Sequence, residues 1–64
     1  MAKFVLGGKV RVRTNSHSPY RGCTGIVIQI FDHDFVVVYQ VKMESYPSHL
    51  AQSGRFLEGD LESS

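Results

Sequence analysis

"SPYRGCTGIVIQIFDHDFVVVYQV", residues 18–41, decides how this chain folds. Gly22 and Gly25 bracket Cys23-Thr24, and a run rich in β-branched residues, Ile26–Phe31, follows directly. Asp32-His33-Asp34 then separates that run from a second one, Phe35–Lys42. β-Branched and aromatic residues fill both arms, so both are strands, and the short polar break makes them an antiparallel hairpin. The break has no glycine, but Asp and His are among the few side-chain-bearing residues that tolerate positive φ.

Both faces of these arms are apolar. Alternation sets Ile26, Ile28 and Ile30 against Val27 and Phe31, and Val36 and Val38 against Phe35, Val37 and Tyr39. An isolated antiparallel sheet normally keeps one face polar. Two explanations remain open: a tightly curled barrel whose long strands bury parts of both faces, or an outer apolar stripe that meets another chain.

Upstream, "KVRVR", residues 9–13, alternates strictly. Val10 and Val12 share one face, and Lys9, Arg11 and Arg13 the other, as in a half-buried strand. "TNSHSP" is loop chemistry, with Pro19 fixing its exit. Downstream, residues 43–54 form the longest irregular stretch. Pro47 early and Gly54 at its end allow one short helical turn near 47–52. "RFLE", residues 55–58, reads as a short strand, "EGD" turns the chain, and Leu61-Glu62 makes a last strand. Five short strands around a central hairpin predict an all-β fold, a small five-stranded curled barrel. It forms one domain over residues 1–64, with its ordered core at about 4–62.

A chain of 64 residues buries only about 60% of its unfolded surface, and one such core supplies about 3–5 kcal/mol. Cys23 is the sole cysteine, so no internal disulfide can add to that. A single thiol fits a reducing compartment. The apolar start Phe4-Val5-Leu6 is far shorter than a signal-peptide core, and no run reaches the ~20 residues of a membrane span. The expectation is a cytoplasmic protein without membrane association.

Charge is uneven along the chain. Residues 1–31 carry five Lys/Arg and no carboxylate, whereas residues 32–64 carry two Lys/Arg and six carboxylates. Whether the molecule is also two-ended in space depends on how a barrel interleaves its halves.

"GGKVRV…YRGCTGIVIQI…FVVVYQV" resembles the KOW type of SH3-like barrel. That motif runs Gly-x-x-Val-x-Val, a loop, then Gly-x-x-Gly-x-Val. Gly8, Val10 and Val12 suit the first part approximately, and Gly22, Gly25 and Val27 fit the second well. The resemblance implies contact with RNA or with polymerase-like complexes. "VYQV…RFLEGDLE" is similar to the closing pattern of small accessory-subunit barrels, among them the variable chain of ferredoxin–thioredoxin reductase and the β subunit of nitrile hydratase. The matched residues there are Val10-Arg11-Val12, Pro19-Tyr20-Arg21-Gly22 and Tyr39-Gln40-Val41-Lys42-Met43. Met43 stands where that family favours Phe, and no Trp follows Leu61. These are fold-forming residues, so they imply architecture rather than activity.

Lys9, Arg11 and Arg13 on one strand face, with Tyr20 and Arg21 from the adjoining loop, make the candidate binding cluster. Clustered cations beside an aromatic ring can grip phosphates and stack a base, or steer an acidic protein. Dedicated nucleic-acid modules run to pI above about 9, and a pI of 7.9 favours the protein partner. Tyr46 and His49 extend the surface along a loop rim, and Ile26 and Ile28 are candidates for an oligomer face. Asp32-His33-Asp34 lacks metal-ligand spacing, Cys23 has no base fixed beside it, and Glu58, Asp60 and Glu62 read as edge-strand solubilisers. The expectation is therefore a non-enzymatic module without metal or cofactor. It docks an acidic protein or larger complex, with RNA or DNA binding as the alternative and homo-oligomerisation as a third reading.

Overall fold

The computed structural model describes residues 3–64. Five strands follow in order: β1 (Lys9–Val12), β2 (Thr24–His33), β3 (Val36–Met43), β4 (Ser53–Leu57) and β5 (Leu61–Ser63), with a single 3-10 turn, Glu58–Asp60, between the last two. They form one antiparallel sheet in the order β4-β3-β2-β1-β5. All five strands send side chains to a common core of Phe4, Val10, Val12, Val27, Tyr39, Val41, Met43, Phe56 and Leu61. A single sheet that buries one face against itself must curl, and the result is a small barrel-like shell. Among the described residues no helix is long and apolar enough to cross a membrane.

The curl originates in β2. Its first residues pair with β1, Lys9 opposite Ile26 and Arg11 opposite Thr24, while nearly its whole length pairs with β3. The register slips between Val27 and Gln29, so Ile28 is the extra residue of a bulge, which bends a strand and increases its twist. The bulge also changes the expected faces. Ile30 lies opposite the buried Tyr39, and Phe31 opposite Val38. Ile30 therefore turns to the core side and packs against it, away from Ile26 and Ile28. The bulge thus turns part of the hairpin's apolar set inward and leaves the rest, Ile28 among it, outside.

The two glycines of the decisive stretch serve different needs. Gly22 sits at φ +83°, a left-handed conformation that side chains resist. Gly25 is needed for space: a Cβ there would lie 2.6 Å from the Lys42 carbonyl oxygen and 2.7 Å from a Val41 methyl. The loop between them is pinned by hydrogen bonds from Gly22 N–H to Val12 C=O (2.8 Å) and from Val12 N–H to Cys23 C=O (2.9 Å).

Element limits shift slightly from the sequence reading. His33 pairs with Val36, so the hairpin connection is Asp34-Phe35, with Asp34 at φ +23°. Phe35 leaves the strand and stands fully exposed (100%) at its tip. Pro47–Leu50 closes as one hydrogen-bonded turn, Leu50 N–H to Pro47 C=O at 3.0 Å, without becoming a helix; the helical turn falls at 58–60 instead. β4 begins at Ser53 and takes in Gly54.

Candidate docking surface

β1 presents Lys9 and Arg11 outward as its alternation requires, with Val10 and Val12 in the core. Pairing of β1 with β5 sets Arg11 directly opposite Glu62. Arg11 Nε–H donates to Glu62 Oε2 at 2.7 Å, and its Nη2 reaches the same oxygen. Arg13 Nη1 lies 3.9 Å from Glu62 Oε1, and Lys9 Nζ lies 3.6 Å from Glu44 Oε1. The barrel has interleaved the basic and acidic halves of the chain. Exposed pairs of this kind contribute only about 0–1 kcal/mol each to stability, so their larger effect is on the field of the face. A carboxylate stands among the cations, and the strand displays both signs.

Arg21, the fourth cation of the cluster, has no carboxylate partner among the described residues. It lies in an ordered loop: Ser18 N–H donates to Ser16 Oγ and Tyr20 N–H to Ser18 Oγ, each at 3.1 Å, and Arg21 N–H donates to the Ser18 carbonyl at 3.1 Å. Tyr20 is half-buried. Its ring edge packs on Phe56 at 5.6 Å, and its hydroxyl donates to the Ala51 carbonyl at 2.5 Å. That bond ties the 13–23 loop to the 44–52 loop, which carries the exposed Tyr46 and His49. Arg21, Tyr46 and His49 thus belong to two loops held by one clamp, and Tyr20 is the clamp.

Ile26 is half-buried and sits in register between Lys9 on β1 and Lys42 on β3. Ile28 is exposed at the bulge. Cys23 is half-buried against the core, and among the described residues no three His, Cys, Asp or Glu side chains gather as a metal would need.

Two features have no counterpart in the sequence reading. Tyr39, wholly buried, accepts hydrogen bonds at its hydroxyl from the Lys3 and Phe4 backbone N–H groups (2.9 and 3.2 Å) and donates to Glu58 Oε2 at 2.7 Å. Lys3 N–H also donates to that carboxylate, at 3.0 Å. Burial pushes the Tyr39 hydroxyl above the usual tyrosine range, with the Glu58 carboxylate adding to the effect. The Tyr39 hydrogen bond, reinforced by that of Lys3, holds Glu58 below the usual glutamate range. The second feature is a groove of about 280 Å³ at the hairpin end, lined by Phe35, Val36, Val37, Leu57, Glu58 and Gly59. A tyrosine inside a strand and a Phe beside an Asp carry no local signal of either role, because both depend on which distant segment arrives.

Compared with known protein families, curated proteins and solved structures, the chain matches none.

Proposed function

We propose that this chain is an SH3-like barrel of the KOW type that serves as a non-enzymatic protein-docking module or accessory subunit. The strand order β4-β3-β2-β1-β5, with a 3-10 turn before the last strand, supports the fold assignment. So do Gly22 and Gly25, which meet the needs for positive φ and close approach at the start of β2. One observation carries the choice of partner: the β1 cations are engaged by the chain's own Glu62 and Glu44. A nucleic acid gains affinity when free protein cations displace condensed counterions from its phosphates into solution. Here it would meet Glu62 at the centre of the cluster. A protein surface carrying both signs suits such a face, because complementary charge sets orientation and suppresses wrong partners.

Docking centres on Arg21 and the rim residues Tyr46 and His49, with Lys9, Arg11 and Arg13 setting register along the strand. The partner places a carboxylate against Arg21. Affinity capture with the wild-type chain, with Arg21→Glu and with Tyr46→Ala tests this. A binding protein retained by the wild type and lost from both Arg21→Glu and Tyr46→Ala is expected. Equal retention by all three would overturn the assignment of the rim.

A further inference from the structure

Alternation along the β3–β4 ladder fixes which way the backbone of β4 faces. Met43 N–H donates to Gln52 C=O at 2.7 Å. In an antiparallel ladder every second pair is hydrogen-bonded, so the next bonded pairs are Val41 with Gly54 and Tyr39 with Phe56. The N–H and C=O groups of Ser53, Arg55 and Leu57 therefore point away from β3. β4 ends the sheet, and among the described residues no other segment bonds the main chain of these three. All three are exposed.

Natural sheet edges are blunted by short strands, bulges, proline or charge. β5 is three residues long, and its Leu61 N–H is spent on the Glu58 carbonyl. β2 is bent by its bulge just past Val27. β4 is five residues long, with unbroken register and no proline, and its one guard is Arg55.

The outer side chains narrow down what pairs there. Phe31, Val38 and Leu57 lie opposite one another in turn across β2, β3 and β4, an apolar row that stops at the open edge. The row beside it is Gln29, Gln40 and Arg55. Arg55 has no carboxylate partner among the described residues. Its Nε–H donates to Gln40 Oε1 at 3.2 Å and its guanidinium lies over the Phe31 ring at 5.0 Å, neutral contacts that leave its charge unbalanced. A second copy is poorly suited to this edge. Any two-fold pairing that engages at least two of Ser53, Arg55 and Leu57 sets Arg55 opposite or diagonal to Arg55 of the second copy, where like charges destabilise a sheet. A foreign strand meets both rows when it carries an apolar residue beside Leu57 and, two positions along, a carboxylate beside Arg55.

We infer that β4 accepts an extended acidic–apolar segment of a partner protein as an added strand, held by main-chain hydrogen bonds at Ser53, Arg55 and Leu57. The claim goes beyond the Arg21 rim and is read at different residues, so the two stand or fall separately.

The probe is a capped peptide, Thr-Val-Thr-Glu-Thr-Thr, titrated to millimolar concentration into the ¹⁵N-labelled chain. NMR hydrogen exchange is expected to slow at the Ser53, Arg55 and Leu57 amides, while Gly54 and Phe56, already bonded to β3, keep the protection they have. That alternate-residue pattern is specific to strand addition. A peptide with Lys in place of Glu should bind about fivefold more weakly, and Arg55→Glu, at an exposed position, should reverse the preference. The same peptide N-methylated at its Val and Glu should not bind. Unchanged exchange at the three amides at millimolar peptide would overturn the inference, as would equal binding of the Glu and Lys peptides. Slowed exchange there without peptide, growing with protein concentration, would give the edge to a second copy and overturn it too.

Discussion

Gly25 lies where β2 packs tightly on β3, and it has no room for a side chain. A β-carbon 2.6 Å from the Lys42 carbonyl oxygen can be relieved only by parting the two strands, because the obstacle is backbone. Gly25→Ala should therefore cost about 1–3 kcal/mol, much of the stability of a domain this small, and urea unfolding measures it. A midpoint equal to the wild type would show that β2 and β3 separate freely there. The Tyr39–Glu58 contact makes a second claim at this scale. Glu58 has its affinity for protons lowered by folding, so it contributes stability above the pKa of the unfolded chain, and that contribution is lost as pH falls through the lower, folded value. Below about pH 4, wild type should lose this advantage over Glu58→Gln, and the two thermal-unfolding curves should converge. Curves that stay parallel from pH 7 to pH 3 would show that Glu58 is not coupled to folding. Tyr39 works on the alkaline side with the opposite sense. Its raised pKa leaves its contribution intact below about pH 10 and removes it above.

Among the elements, β2 decides the shape. The bulge at Ile28 lets one strand serve β1 with its first residues and β3 with nearly all of its length. Deleting Ile28 restores plain alternation, keeps Ile30 and Phe31 on their present faces, and removes the bend. The expected consequence is loss of hydrogen-exchange protection at the Val12 N–H, which bonds to Cys23 C=O, while the β2–β3 hairpin amides keep theirs. Unchanged protection at Val12 would mean that the curl does not depend on the bulge. All five strands were legible in the sequence, because β-branched alternation and glycine punctuation are local signals. The bulge was not: "IVIQIF" holds no Gly or Pro to mark it, and strict alternation assigned Ile30 to the wrong face. Phe35 read as a strand residue because its composition suits a strand; only the pairing of His33 with Val36 puts it in the connection.

Across the whole molecule, the two-ended charge of the chain does not survive folding. Residues at opposite ends of the sequence meet when β1 pairs with β5, and Glu62 stands between Arg11 and Arg13. No local pattern reports that meeting, since the sheet partner of a strand is set by topology. The cation cluster was legible in the sequence; its pairing with Glu44 and Glu62 was not. The account rests on this pairing, because it turns a basic strand into a face of mixed sign. The most direct test titrates labelled mixed-sequence RNA and duplex DNA, at roughly 50 and 200 mM salt, with the wild type and with a Glu44→Gln, Glu62→Gln variant. The account predicts no saturable binding by the wild type and, for the variant, binding that weakens sharply at the higher salt. Tight, salt-sensitive binding by the wild type, equal to that of the variant, would contradict it and make Lys9, Arg11 and Arg13 phosphate contacts.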